Sequence, residues 1–230
     1  MRYWAHARYG QQMSGAVAAV VDASGRGVTI DQATASKQPL AGATSNVKSW
    51  IFDGVNDCLQ TPTVTLSDTT QITLAIVSRV ATTAASVLYE MSTNWSSNLT
   101  AMLAFPNNSG GNLMMMGMKS NATQLSYKEW TQNVGAWRSQ AITWDIALTA
   151  ANESKAFRDG SQITSFFGNY QNECTEAGFG NYAHFIGSRA NGVAYPMNGA
   201  VASVLLLGRA LSNSDAEVLS ALLRQASGVV

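Results

Sequence analysis

The strongest constraint in this sequence is a repeated two-residue alternation. Residues 48–52, 71–80, 86–91, 98–105, 136–146, 182–188 and 197–207 alternate apolar and polar side chains or run through β-branched ones, each closed by turn residues. Successive side chains of a strand point to opposite faces, so such segments become strands that bury one face or both. Many short strands pack as two sheets face to face, and the expectation is an all-β sandwich. Two turns carry their own mechanism. Asp53-Gly54 follows Trp50-Ile51-Phe52, and Asp159-Gly160 lies between residues 155–158 and 162–166. Asp-Gly supplies the positive φ of a tight turn, so both are expected to close hairpins.

One helix is expected, at the end of the chain. Ser212 or Ser214 caps it, and Asp215 and Glu217 fall in a first turn that favours negative charge. Val218, Leu219, Leu222 and Leu223 repeat at helical spacing as its docking stripe, and Gly228 stops it.

Composition narrows the function classes. Charged residues are only 12% of the chain, against about 25% in an average soluble protein. Roughly a third of the residues are Ser, Thr, Asn or Gln, a mixture that suits strands and turns. Hydrophobic residues reach 46%, enough for a real core, which excludes disorder. The 14 basic and 14 acidic residues cancel without a basic cluster, so nucleic acid is not an expected partner. No run of roughly 18 apolar residues exists, so no membrane-spanning helix is expected. The apolar stretch 16–21 is too short for a signal peptide and is closed by Asp22.

No linker or composition shift divides the 230 residues. Residues 13–230 are expected to form one sandwich, with looser loops at 107–112 and 169–180. Residues 1–12 are expected to be an N-terminal arm or part of the first strand. Arg2, Tyr3, Trp4, Arg8 and Tyr9 are then the partner-binding candidates, because Arg and aromatic residues dominate interface energetics. Cys58 and Cys174 either pair or remain as two small buried thiols.

The familiar catalytic arrangements are missing. His6 and His184 lie far apart and outside any two-His metal motif, and no G-x-S-x-G is present. Gly110-Gly111 and residues 178–180 lack the helix and Lys of a phosphate cradle. A β-sandwich glycosidase needs carboxylates at i and i+2 or i+4 on one strand. Glu90, Glu129, Glu153, Glu173, Glu176 and Glu217 show no such pairing, so no catalytic residue is assigned.

Aromatic residues remain. Trp95, Tyr127, Trp130 and Tyr195, with Tyr170, lie in or beside expected turns, where a ring can stack on a sugar face. Trp4, Trp50, Trp137 and Trp144 fall near strand-like runs and read as core. The run Met114-Met115-Met116-Gly117-Met118 is either an exposed adhesive strand or gap-filling in the core.

The ordered motifs Val21-Asp22-Ala23-Ser24-Gly25, Gln38-Pro39, Ile51-Phe52-Asp53-Gly54-Val55-Asn56-Asp57, Phe157-Arg158-Asp159-Gly160, Phe185-Ile186-Gly187-Ser188-Arg189 and the apolar stretch 199–207 make up a pattern. With the closing Arg209-Ala210-Leu211-Ser212, it resembles the concanavalin A-like lectin/glucanase superfamily. The resemblance is closest to the laminin G-like branch found in tailed-bacteriophage and bacterial proteins. It implies a jelly-roll β-sandwich of two curved antiparallel sheets with a short C-terminal helix outside. Some members bind calcium, but no Asp or Asn cluster here matches a ligand set residue by residue, so no cofactor is expected. Catalytic members carry a Glu-x-Asp-x-x-Glu strand that this sequence lacks, so the resemblance points away from an enzyme.

The resulting expectation is a non-enzymatic virion structural protein of a tailed phage, a capsid decoration or small appendage subunit. It would contact other virion proteins as a homo-oligomer or symmetric array, with weak binding to a bacterial surface glycan. A stand-alone lectin-like carbohydrate-binding module is the alternative, and a glycoside hydrolase is third.

Overall fold

The computed structural model describes residues 1–7, 15–106, 113–120 and 125–229. Two antiparallel sheets make a jelly-roll β-sandwich. In spatial order the first sheet runs Ser161–Gln162, Ser154–Arg158, Trp137–Asp145, Gln71–Val80, Asn198–Leu207, Val47–Asp53, Leu40–Thr44 and Gly15–Ala16. Tyr3–His6 joins it beside Asn198–Leu207. The second runs Gly168–Tyr170, Leu125–Thr131, Leu113–Lys119, Met102–Pro106, Tyr89–Met91, His184–Ile186, Leu59–Gln60, Ile30–Asp31 and Ala19–Val20.

All seven alternating segments contain strands. Asn198–Leu207 is the hub. Gln71–Val80 lies along one side of it, while Val47–Asp53 and Tyr3–His6 share the other side end to end. A register shift between Val201 and Ser203 separates those two pairings, and the Ala202 carbonyl accepts from the Ala7 amide there.

Turn chemistry decides the connections. Asp159 (φ 52°) and Gly160 (φ 89°) form a two-residue turn between Ser154–Arg158 and Ser161–Gln162, as expected. Asp53-Gly54 does not close a hairpin. Its strand lies in the first sheet and the next, Leu59–Gln60, lies in the second, so the turn carries the chain across the sandwich. Asp53 Oδ1 accepts from the Val55 amide and Asp57 Oδ2 from the Asp53 amide, which stabilises this longer loop. The hairpin in this region is closed instead by Ser45 and Asn46 (φ 51° and 63°).

Between the sheets lie Trp50, Phe52, Leu74, Ile76 and Trp144 from one side, and Tyr89, Met91, Met114, Met116, Met118 and Trp130 from the other. The methionine run is therefore gap-filling: three of its side chains enter the core, and Met115 is buried on the opposite face. Cys58 and Cys174 are both free and buried, not a disulfide.

The helix Asn213–Ala226 covers the outer face of the first sheet. Ser212 caps it, its Oγ accepting from the Asp215 amide at 3.2 Å. Ala216, Ser220 and Leu223 face the sheet, with Leu219 packed beside them. Val218 (56% exposed) and Leu222 (55%) do not dock, contrary to expectation. Leu219/Leu223 and Val218/Leu222 form two parallel i,i+4 rows, and the row flanked by the small Ala216 and Ser220 allows the closer approach.

Candidate functional site: an aromatic face on the second sheet

With the helix over the first sheet, the outer face of the second sheet is the one the helix leaves uncovered. Met102, Ala104, Met114, Met116, Met118 and Trp130 point into the core. Alternation then sends Leu103, Phe105, Met115, Tyr127 and Glu129 to the outer face. Leu103, Phe105, Met115 and Val87 form a separate cluster against which Trp95 and Tyr127 pack. Tyr195 joins through Phe105, ring centroids 5.2 Å apart and edge-on at 66°. Three of the four glycan candidates, Trp95, Tyr127 and Tyr195, thus converge on one cluster.

Trp130 does not. Tyr127 and Trp130 belong to the strand Leu125–Thr131, not to turns, and being three apart they face opposite sides. Trp130 is 2% exposed and cannot serve as a stacking surface. It lies instead at the bottom of a pocket of about 350 Å³ at the sandwich edge, lined also by Arg158, Ile163, Phe166 and the strongly exposed Phe167.

Each ring on the outer face is held in place. The Trp95 loop is organised by Asn98, whose Oδ1 accepts from the Thr93 amide, the Thr93 hydroxyl and the Asn94 amide. Lys119 Nζ reaches from its strand to the carbonyls of Trp95 and Ser96. Tyr127 stacks on Tyr170, which is 61% exposed, at 5.2 Å and 17°. Glycine at 168 makes the stack possible, because a Cβ there would lie 2.8 Å from Tyr127 Cε2. Tyr195 (φ 51°) sits under the Arg189 guanidinium at 5.8 Å. Arg189 Nε in turn donates to Glu90 Oε1 at 3.3 Å. Sequence reasoning missed Phe105, Arg189 and Phe167, because alternation shows that a residue has a face but not which partner meets it there.

Electrostatics on this face are set by burial. The Tyr127 phenol is raised by burial and by the charges of Glu129 and Tyr170. On the opposite side of the same strand, burial lowers Lys128, whose Nζ donates to Asn169 Oδ1 and lies 4.7 Å over the Phe166 ring.

Glu90 is held by its neighbours and lies far from Glu129. Both Glu90 oxygens are engaged, one by Ser92 Oγ and Arg189 Nε, the other by the Ala190 amide at 2.9 Å. The registers Glu90–Leu103, Leu103–Gly117 and Gly117–Tyr127 put Glu90 three strands from the strand of Glu129. At about 4.8 Å per strand the two lie on the order of 15 Å apart, beyond the roughly 9.5 Å limit for a glycosidase pair. Glu153 is buried elsewhere, and its carboxyl is pushed up to about 7, first by burial and then by Glu173 and Asp145.

The remaining sequence candidates lie on the first sheet or in the core. Tyr3 is fully buried, its hydroxyl 3.2 Å from Tyr89 and 3.1 Å from His184 Nδ1. Trp4 donates its indole N–H to Ser203 Oγ, and Arg2 pairs with Asp68. These residues thus serve the first strand, while Arg8 and Tyr9 lie outside the described residues. His184 is buried in the sandwich with its pKa lowered to about 3 by desolvation.

Calcium is what the resemblance implies for some members, and two carboxylates of its motifs are already engaged. Asp22 spends its oxygens on the Trp4, Ser24 and Val28 amides and the Ser24 hydroxyl, and Asp57 accepts from Asp53. Among the described residues no three His, Cys, Asp or Glu side chains are grouped to hold a metal. No helix among them is long and apolar enough to cross a membrane.

No family model matches the chain, and no curated protein matches it. Solved structures do. The binding domain of botulinum neurotoxin serotype G superposes with a TM-score of 0.67 at 11% identity, covering 96% of this chain and 50% of that one. A heptameric SAP-like pentraxin from Limulus polyphemus gives 0.56 at 14%, covering 74% and 80%. The CBM40 of the Ruminococcus gnavus IT-sialidase, bound to alpha2,3 sialyllactose, gives 0.50 at 14%, covering 65% and 82%. The chain therefore spans half the length of the neurotoxin domain. Identities this low speak to the fold alone, and the fold they share with this chain is the jelly-roll β-sandwich.

Proposed function

We propose that this chain is a non-catalytic, lectin-like binding module that takes a glycan on the outer face of its second sheet. The observation that carries the reading is the convergence of Trp95, Tyr127 and Tyr195 on one cluster, with Tyr170 stacked at its exposed margin. Rings held by Lys119, Gly168 and Arg189 are ordered before a ligand arrives, which lowers the entropic cost of stacking on a sugar. The named neighbours, a toxin binding domain and a carbohydrate-binding module, fit such a role. The engagement of Glu90 and its distance from Glu129 support binding without hydrolysis.

The virion expectation becomes the second reading. One feature favours it: Val218 and Leu222 form an exposed apolar ridge on the helix, suited to contact with a neighbouring subunit. A laminin G-like affiliation belongs with that reading.

The test is binding of the purified protein to immobilised neutral oligosaccharides and bacterial surface polysaccharides, with Trp95→Ala and Tyr170→Ala alongside. Each lost ring should weaken binding by about tenfold, the upper range of an aromatic contact. Glycan binding that survives both substitutions unchanged, or its absence from the native protein, would overturn the proposal.

A further inference from the structure

Outside the aromatic cluster, two arginines line a small cavity, and a third follows Gly208 in the segment that one of them crosses. The cavity, of about 210 Å³, is lined by Arg2 and Arg26, by Val28 and Val64, and by Thr63 and Thr65. Arg2 lies across the backbone of Gly208, where a Cβ would stand 2.6 Å from its Nε, which brings it beside Arg209. Arg26 projects from the turn that Asp22 organises, its amide donating to Ser24 Oγ at 3.2 Å. The Met1 α-amino group is held below its usual pKa by burial and by the positive charges of Arg26, Arg2 and Arg209, so all three share one electrostatic neighbourhood.

The negative charge nearby is already committed. Asp68 pairs with Arg2, and Asp22 is satisfied by the donors of its own turn. Among the described residues neither Arg26 nor Arg209 has a carboxylate partner, and both are exposed. In a chain with formal net charge zero, this is a local excess of positive charge. Guanidinium groups present forked donors suited to planar or tetrahedral oxyanions. The floor is mixed, since Val28 and Val64 offer apolar contact beside the Thr63 and Thr65 hydroxyls.

We propose that this cavity is a second binding site, distinct from the aromatic face, for an oxyanion carried on a sugar-sized ligand, a carboxylate or a sulfate ester. Arg26 supplies the charge in the lining, Arg209 adds to it from beside Gly208, Arg2 forms one edge, and the two threonines offer hydroxyl contacts to the ligand.

The test follows the amide resonances of residues 62–65 and the arginine Nε–H resonances while N-acetylneuraminic acid, sodium sulfate or galactose is added at constant ionic strength. Saturable shifts are expected with the acidic sugar, with sulfate, or with both, and the arm that saturates identifies the carboxylate or the sulfate as the group recognised. Galactose should leave these resonances unmoved. The double variant Arg26→Ala/Arg209→Ala should weaken binding at least tenfold without changing the melting temperature. Trp95→Ala should leave it intact, which separates this site from the aromatic face. No saturable shift with either anion, equal shifts with galactose, or unchanged affinity in the double variant would overturn the proposal.

Discussion

Glu153 offers a test of the packing that needs no ligand. It directly precedes the strand Ser154–Arg158 and is buried, with the Ser126 hydroxyl as the neighbour that opposes the rise of its pKa. Burial and the carboxylates of Glu173 and Asp145 raise its pKa from 4.5 to about 7. The native protein therefore keeps a proton that the unfolded chain releases near 4.5. The stability this proton contributes is complete below that pH, falls as pH rises through the window up to about 7, and is absent above it. A shift of that size corresponds to about 3 kcal/mol, and solvent screening beside the exposed Asn152 reduces it to about 1.5 kcal/mol. Urea unfolding of the native protein and of Glu153→Gln at about pH 5 and about pH 8 measures the effect. Near pH 5 the glutamine variant should gain only about a quarter of the full effect, and near pH 8 it should be more stable by about 1.5 kcal/mol. Asp57, raised to about 6 chiefly by burial, and His184, lowered to about 3, titrate in both proteins and cancel in the difference. A difference between the two proteins that is the same at both pH values would refute the reasoning.

Three further substitutions probe the helix and the aromatic face. Leu223→Ala removes a buried side chain and should cost about 2–4 kcal/mol, whereas Leu222→Ala, on the exposed ridge, should stay within about 0.5 kcal/mol; chemical denaturation of both reads the contrast, and equal losses would show that the helix docks by the other row. Gly168→Ala should push the Tyr127 ring off Tyr170, visible as a changed near-ultraviolet tyrosine dichroism with the far-ultraviolet β signal retained.

Alternation made the sandwich legible, because each buried strand has to place apolar residues on at least one face. The strands Leu113–Lys119 and Leu125–Thr131 were harder to read. The first is apolar on both faces and so shows no period. The second carries Ser126 and Lys128 on the core side, where the backbone carbonyl of Asn172 and the side chain of Asn169 satisfy them. Those partners lie more than 40 residues away and leave no local trace. The same limit governs the site. That Trp95, Tyr127 and Tyr195 are aromatic is written in the chain, but their meeting on Phe105 and Met115 follows from strand register, which no short window encodes. The helix shows the converse: its apolar residues are evident, yet only the small Ala216 and Ser220 decide which row faces the sheet.

The pairing of Tyr3–His6 with Asn198–Leu207 joins the two ends of the described chain across about two hundred residues. A contact of such sequence separation forms late, because the intervening chain has to be ordered before its closure is rewarded. During synthesis the first strand would wait, with Tyr3 and Ala5 uncovered, until the last strand had left the ribosome. Until then Tyr89 and His184 lack the hydroxyl they share in the finished core. The sandwich is thus closed by its earliest residues acting last, and its slowest folding step should be the docking of a segment that was available from the outset.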